Sequence, residues 1–225
     1  MVFRLVYFMK IIQLSSGIGK SAYGVGAVVL GLSRALINRG ADVECWSLDS
    51  SQEIANAAQL HDIAEHALRG FNILGPARIG YSFAMERWAC DHPPDVIHQH
   101  MLWMAQSRVA NQIRKTHTDL ISVIAAHGAL DIWALKQSSI KKAFASKFYE
   151  SENLRRADCF HATSDIEVQD YMRLGLKTPI ALIENGISDS SLEVSADPNE
   201  FRQRYSLPES DRLMVYISRI TPKKN

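Results

Sequence analysis

Ile11-Ile12-Gln13-Leu14-Ser15-Ser16-Gly17-Ile18-Gly19-Lys20-Ser21-Ala22 is the stretch on which the fold turns. Residues 11–14 are a short apolar run suited to a buried strand. The small residues that follow let the backbone turn tightly. From 22 to 39 the apolar positions Val25, Val28, Val29, Leu32 and Leu36 recur at helical spacing, and Gly40 is a natural stop. A strand, a glycine-rich turn and a helix form the opening unit of an α/β domain.

Working outward, the pattern repeats. Strands are expected at 42–48, 95–97, 120–126, 159–162 and 180–183, with a short apolar run at 71–74. Helices are expected at 54–68, 104–115, 139–156 and 166–174, the last stopped by Gly175. Alternation of this kind gives a Rossmann-like, doubly wound parallel sheet with helices on both faces. Ligands on such sheets bind at the carboxyl ends of the strands, so segments just after strands are where chemistry is sought. From 188 to 211 the composition turns to Ser, Asp, Glu, Pro and Asn, with a short helix expected at 200–205. A new apolar strand is then expected at 212–217. The organisation expected is an upstream extension at 1–8, a Rossmann-like domain at 9–190, a linker at 191–210, and the first strand and turn of a truncated second domain at 211–225.

Composition narrows the function classes. A net charge of +1 over 225 residues, with 47% apolar residues, is an ordinary globular balance without the basic surface of a general nucleic-acid binder. Cys45, Cys90 and Cys159 are odd in number and widely spaced, which points away from a disulfide framework or zinc knuckle and towards a reducing cytoplasm. Residues 1–8 lack the long apolar core and small-residue cleavage site of a signal peptide.

The glycine turn resembles two nucleotide motifs. Gly19-Lys20-Ser21 suggests a phosphate-binding P-loop, but Leu14 stands where its first glycine belongs. Gly17-x-Gly19-x-x-Ala22 fits the dinucleotide fingerprint, with Asp49 as a ribose ligand after the second strand. The same glycines also serve simple close packing of strand and helix. Two further segments follow strands. His127-Gly128 closes the 120–126 run, where an imidazole meets a ligand or serves the core. Arg219 and Lys224 lie in a basic turn, which suits a diphosphate or is a solvated surface.

Taken together these features resemble a family 4 glycosyltransferase of the GT-B fold, a retaining enzyme type with two facing Rossmann-like domains. The more specific cues are HGALDIWAL at 127–135, HATSDIE at 161–167 and IENGIS at 183–188, which look like those of bacterial surface-polysaccharide enzymes. The resemblance spans about 9–225 and covers the family's N-terminal domain and the first strand of its second. It implies sugar transfer from a nucleotide-sugar to a saccharide or lipid-linked acceptor, without a required metal or other cofactor. It places Gly17 and Gly19 near donor phosphate and acceptor, His127 as the catalytic group near the transferred sugar, and Arg219 and Lys224 on the leaving diphosphate. Ser218 replaces the usual glycine before the arginine, and Asn225 the small residue after the lysine. The family's paired glutamates have no counterpart before Asn225, so this stretch alone is expected to be inactive.

Other residues have two readings each. His98 and His100, two apart after the 95–97 strand, are acceptor-side or structural histidines, since no third metal ligand has suitable spacing. Asn185, after a strand, is an acceptor-side candidate. Lys136, Lys141, Lys142, Lys147, Arg155 and Arg156 surround Trp133, Phe144, Phe148 and Tyr149. Such a segment docks peripherally on anionic lipid at an inner membrane face, or is a solvated face over a buried aromatic stripe. Two alternatives to the transferase remain at this level: an NAD-dependent oxidoreductase, resting on the glycine turn and Asp49, and a non-catalytic Rossmann-like binding module.

Overall fold

The computed structural model describes residues 9–76, 80–187 and 197–218. Two compact units divide at Gly186 and Ile187. The first holds one seven-stranded sheet, all parallel, in the order β3-β2-β1-β4-β5-β6-β7. The strands are β1 (Lys10–Leu14), β2 (Asp42–Ser47), β3 (Leu68–Gly70), β4 (Val96–His100), β5 (Ile121–Ala125), β6 (Cys159–Ala162) and β7 (Ile180–Leu182). Strand order reverses between β1 and β4. This is the Rossmann-like α/β architecture expected from the alternation.

Helices α1 (Tyr23–Ile37) and α2 (Ser51–His61) cover β1–β3 from one side, packing Val29, Leu30 and Ile54 against Cys45. On the other side, α3 (Phe83–Asp91) and α4 (Ala105–Thr116) bury Ile12, Leu14, Trp46 and Ile97 with Met85, Val109 and Ile113. Further along that sheet Ile124 and Phe160 pack on Tyr171 of α8 (Asp165–Arg173). The segment between β5 and β6 is α5 (Ile132–Lys136), α6 (Ser139–Ala145), a π-helical turn at Ser146–Glu150, and α7 (Ser151–Arg155). The extra residue per turn in the π segment brings Glu150 inside, fully buried.

Several boundaries differ from those expected. The helix anticipated over 54–68 ends at His61, where Asp62 takes a left-handed conformation (φ 53°), and Leu68 begins β3 instead. A Cβ on Gly70, at the end of β3, would lie 2.4 Å from the Asp49 carbonyl oxygen, so only glycine fits there. The periodicity did not suggest α3, whose Ser82 caps it by accepting from Met85 N at 3.3 Å. β4 runs on through His98 and His100, which therefore lie within the strand rather than after it.

In the second unit α9 (Pro198–Arg204) is capped by Asp197, and Arg202 donates to the carbonyls of Pro208 and Asp211. Residues 212–217 form no strand: none of the described segments offers them a ladder partner, and Met214 and Ile217 are almost fully exposed.

Candidate functional site

In a parallel sheet, register partners and residues two apart share a face. Gln13, His98, Val123 and Cys159 form one such row, and His100, Ala125, His161 and Ala181 the next. Four imidazoles therefore collect near the carboxyl edge: His98 and His100 from β4, His161 from β6, and His127 from the turn after β5. Ala125 lies between His100 and His161, and its single methyl leaves room for rings from β4 and β6 to meet across β5. His98 Nε2 lies 3.1 Å from His161 Nδ1. His100 Nδ1 lies 2.9 Å from His127 Nε2, and the ring centroids of His98 and His100 are 4.3 Å apart.

Both ends of this column are groups that do not titrate. His161 Nε2 donates to the Ile183 carbonyl at 2.8 Å, and His100 Nε2 faces Gln13 Oε1 at 2.7 Å. Burial pushes His98 down to about 3, helped by its imidazole neighbours, and pushes His100 well below the ordinary value. His127 is also lowered by burial, partly offset by the nearby Glu167 carboxylate. His98, His100 and His127 are therefore neutral near pH 7. Among the described residues no group of three or more His, Cys, Asp or Glu is arranged to hold a metal ion.

Two carboxylates organise the turns around it. Glu167 is buried on the first turn of α8. One of its oxygens accepts from Gly128 N, and the other from Thr163 N and Thr163 Oγ1, both at 2.7 Å. It thus ties the turn after β5 to the turn after β6. His127 sits in that turn with φ 50°, a left-handed conformation that costs a non-glycine residue free energy. Ser164 caps α8 by accepting from Glu167 N at 3.4 Å, while the Glu167 carboxylate reaches beyond its own cap.

Asp49 organises the glycine turn. One of its oxygens accepts from Ile18 N at 2.5 Å, Gly19 N at 3.2 Å and Ser47 Oγ at 3.0 Å. The residue read as a ribose ligand is therefore a structural anchor, and the amides at 18 and 19 already have an acceptor. A Cβ on Gly17 would come 3.2 Å from Asp49 Oδ1, and one on Gly19 3.2 Å from Glu53 Cβ. The closest packing of α1 on the turn falls at Gly26, where a Cβ would lie 2.8 Å from Ala22 Cβ.

Of the residues singled out from sequence, the structure joins His98, His100 and His127 in one column. Gly17 and Gly19 follow β1, the strand that carries Gln13. Asn185 is exposed in the segment after β7. Arg219 and Lys224 lie outside the described residues. Sequence reasoning passed over Gln13, His161 and Glu167 as site residues. The HATSDIE cue contained both His161 and Glu167, and their polarity beside an apolar strand was the available signal.

A family model described as "Glycosyl transferase 4-like domain" matches residues 23–186. Among solved structures, Alr3699/HepE from Anabaena in complex with UDP and glucose is similar at 15% identity and TM-score 0.57, over 88% of this chain and 50% of that one. The same protein in complex with UDP-glucose gives 15% identity and TM-score 0.59, over the same shares. A glycosyltransferase from Rickettsia africae ESF-5 gives 15% identity and TM-score 0.56, over 90% of this chain and 50% of that one. At such identity the likeness concerns the fold, and the chain spans about half the length of these structures. No curated protein matches the chain. The match over residues 23–186, on the Rossmann-like sheet described above, means that the chain belongs to the glycosyl transferase 4-like domain family.

Proposed function

We propose that the protein is a retaining glycosyltransferase of surface-polysaccharide biosynthesis, to which this chain contributes the acceptor-side domain (9–190) and the start of a donor-side domain (211–225). The donor is a nucleotide-sugar, the acceptor a saccharide or lipid-linked saccharide, and no metal is required. The observation that carries the reading is the clustering of hydrogen-bonded imidazoles at the carboxyl edge, beside the switch point where such sheets bind ligands. His127 is the group that faces the transferred sugar. Gly17 and Gly19 let the ligand approach the backbone, and His98, His100 and Asn185 stand on the acceptor side. Arg219 and Lys224 hold the leaving diphosphate. The UDP and UDP-glucose complexes of HepE support a nucleotide-sugar donor.

To test this, the protein containing this chain is incubated with UDP- and GDP-sugars and lipid-linked or free saccharide acceptors. Transfer with retention is expected, and His127→Ala should lower kcat by at least about a hundredfold. Hydride transfer to NAD, or unchanged turnover in the variant, would sink the assignment.

Peripheral contact with an inner membrane face through residues 136–156 is part of the same reading. Ile140, Phe144 and Phe148 lie four residues apart and are 75%, 62% and 70% exposed, rather than forming a buried stripe. Exposed Lys136, Lys141 and Lys147 flank them, and no acidic residue occurs between 132 and 149. Lys142 and Arg156 are already committed, to the Ala134 carbonyl and to Glu152. Among the described residues no helix is long and apolar enough to cross a membrane. Binding to anionic vesicles is expected to exceed binding to neutral ones, to weaken with salt, and to drop about tenfold in Phe144→Ser/Phe148→Ser. Equal binding to both vesicle types would remove the contact.

A further inference from the structure

Among these polar groups, one chain of contacts fixes more than position. Gln13 Oε1 can only accept, so His100 Nε2, 2.7 Å away, carries the proton. A neutral His100 then has a bare Nδ1. His127 Nε2, 2.9 Å from it, must donate. A neutral His127 is left with a bare Nδ1 on the other side of its ring. Both oxygens of Glu167 are taken by Gly128 and Thr163, so that carboxylate acts on the ring only through space.

We propose that Gln13 and His100 are positioning residues that lock His127 as its Nε2–H tautomer, so that its bare Nδ1 is offered as a hydrogen-bond acceptor to a ligand hydroxyl. The partner chemistry is thereby set: an alcohol O–H, not a phosphate or carboxylate oxygen, since a bare nitrogen repels an anion and has no proton to give it. The bond from Gln13 to His100 crosses the β1/β4 switch point, so the strand that opens into the glycine turn also sets the state of the histidine two strands away. Gln13 and His100 are both buried, at 1% and 0% exposure, so water does not compete for these contacts. The hydroxyl's place in catalysis rests on the transferase reading above, whereas the tautomer does not.

The test is nitrogen-15 NMR of histidine-labelled protein, with the His127 signals assigned by their loss in His127→Gln. In the native protein a protonated Nε2 and bare Nδ1 are expected. A protonated Nδ1, or equal populations of the two tautomers, overturns the proposal. His100→Asn keeps an acceptor where Nδ1 was and should preserve the tautomer. Gln13→Leu and His100→Leu should release it. Native tautomer in both Leu variants would also overturn it. In transfer assays Gln13→Leu should lower kcat about tenfold at unchanged donor KM. If no nucleotide-sugar supports transfer while the tautomer responds as expected, the functional reading fails and the positioning stands.

Discussion

The turns leaving β4 and β5 solve one problem in two ways. Each puts non-glycine residues into the left-handed region: Met101 (φ 66°) and Trp103 (φ 67°) after β4, and His127 (φ 50°) after β5. Each is held by a buried glutamate from a later helical segment. After β4, Glu150 accepts from Trp103 N at 2.7 Å and from Asn153 Nδ2 at 2.9 Å. Asn153 also donates to Gln99 Oε1 at 3.0 Å, and Gln99 donates to Ser107 and to the Met101 carbonyl. After β5, Glu167 engages backbone amides of two turns at once. The Glu150 network closes upon the helices and the core. The Glu167 contacts surround the one turn that carries an imidazole of the histidine column. A strained backbone at a strand end therefore marks a site only when the side chain it aims is itself chemical.

The comparison predicts which loss is structural and which functional. Glu150→Ala takes the acceptor from Trp103 N and from one N–H of Asn153 and leaves a cavity, and should destabilise the protein by about 3 kcal/mol in urea unfolding. Glu167→Ala frees Gly128 N and Thr163 N nearer the surface, and should cost about 2 kcal/mol. Measured where both variants remain folded, the order should reverse for transfer. Glu167→Ala lets the His127 turn relax and should lose most activity, while Glu150→Ala retains it. Equal loss of activity in the two variants would erase the distinction between the turns.

How far these features were legible in the sequence depends on which forces wrote them. The β6 segment, Cys-Phe-His-Ala, was bounded correctly because its neighbours are clear punctuation. β3 was hidden, since Leu-Arg-Gly is too short to carry a period and lies where an alanine-rich helix seemed to continue. β4 was cut short at Ile97 because His98, Gln99 and His100 read as polar. They belong to the strand because each side chain finds a partner: Gln99 with Ser107 and Met101, His98 with His161, and His100 with Gln13 and His127. Such partners lie up to 87 positions away in the chain, beyond any local pattern. Asp49 misled for a related reason. A carboxylate after the second strand of a Rossmann-like sheet has a ligand-binding precedent, yet here the ligand is the protein's own glycine turn.

The smallest expected effect separates the two regions by proton uptake. His98 holds a folded value of about 3 against an ordinary 6.5. Above pH 6.5 the ring is neutral in both folded and unfolded states and costs nothing. As pH falls below 6.5 the unfolded chain binds a proton that the folded ring refuses, so stability declines until the folded value is reached. From pH 7.5 to 5.5 this amounts to about 1.4 kcal/mol for this ring. Glu150 pulls the other way. Burial raises its folded value, so on acidification it takes up a proton before the unfolded chain does and favours the folded state. The net acid response of the native protein is thus a contest between the histidine face and the Glu150 network. Replacing His98 with Asn removes one contestant. Urea unfolding of His98→Asn at pH 7.5 and 5.5 should show an acid loss smaller by about 1.4 kcal/mol than in the native protein. An unchanged loss would mean that the folded His98 ring takes up a proton as readily as the unfolded one, and that burial does not hold it neutral.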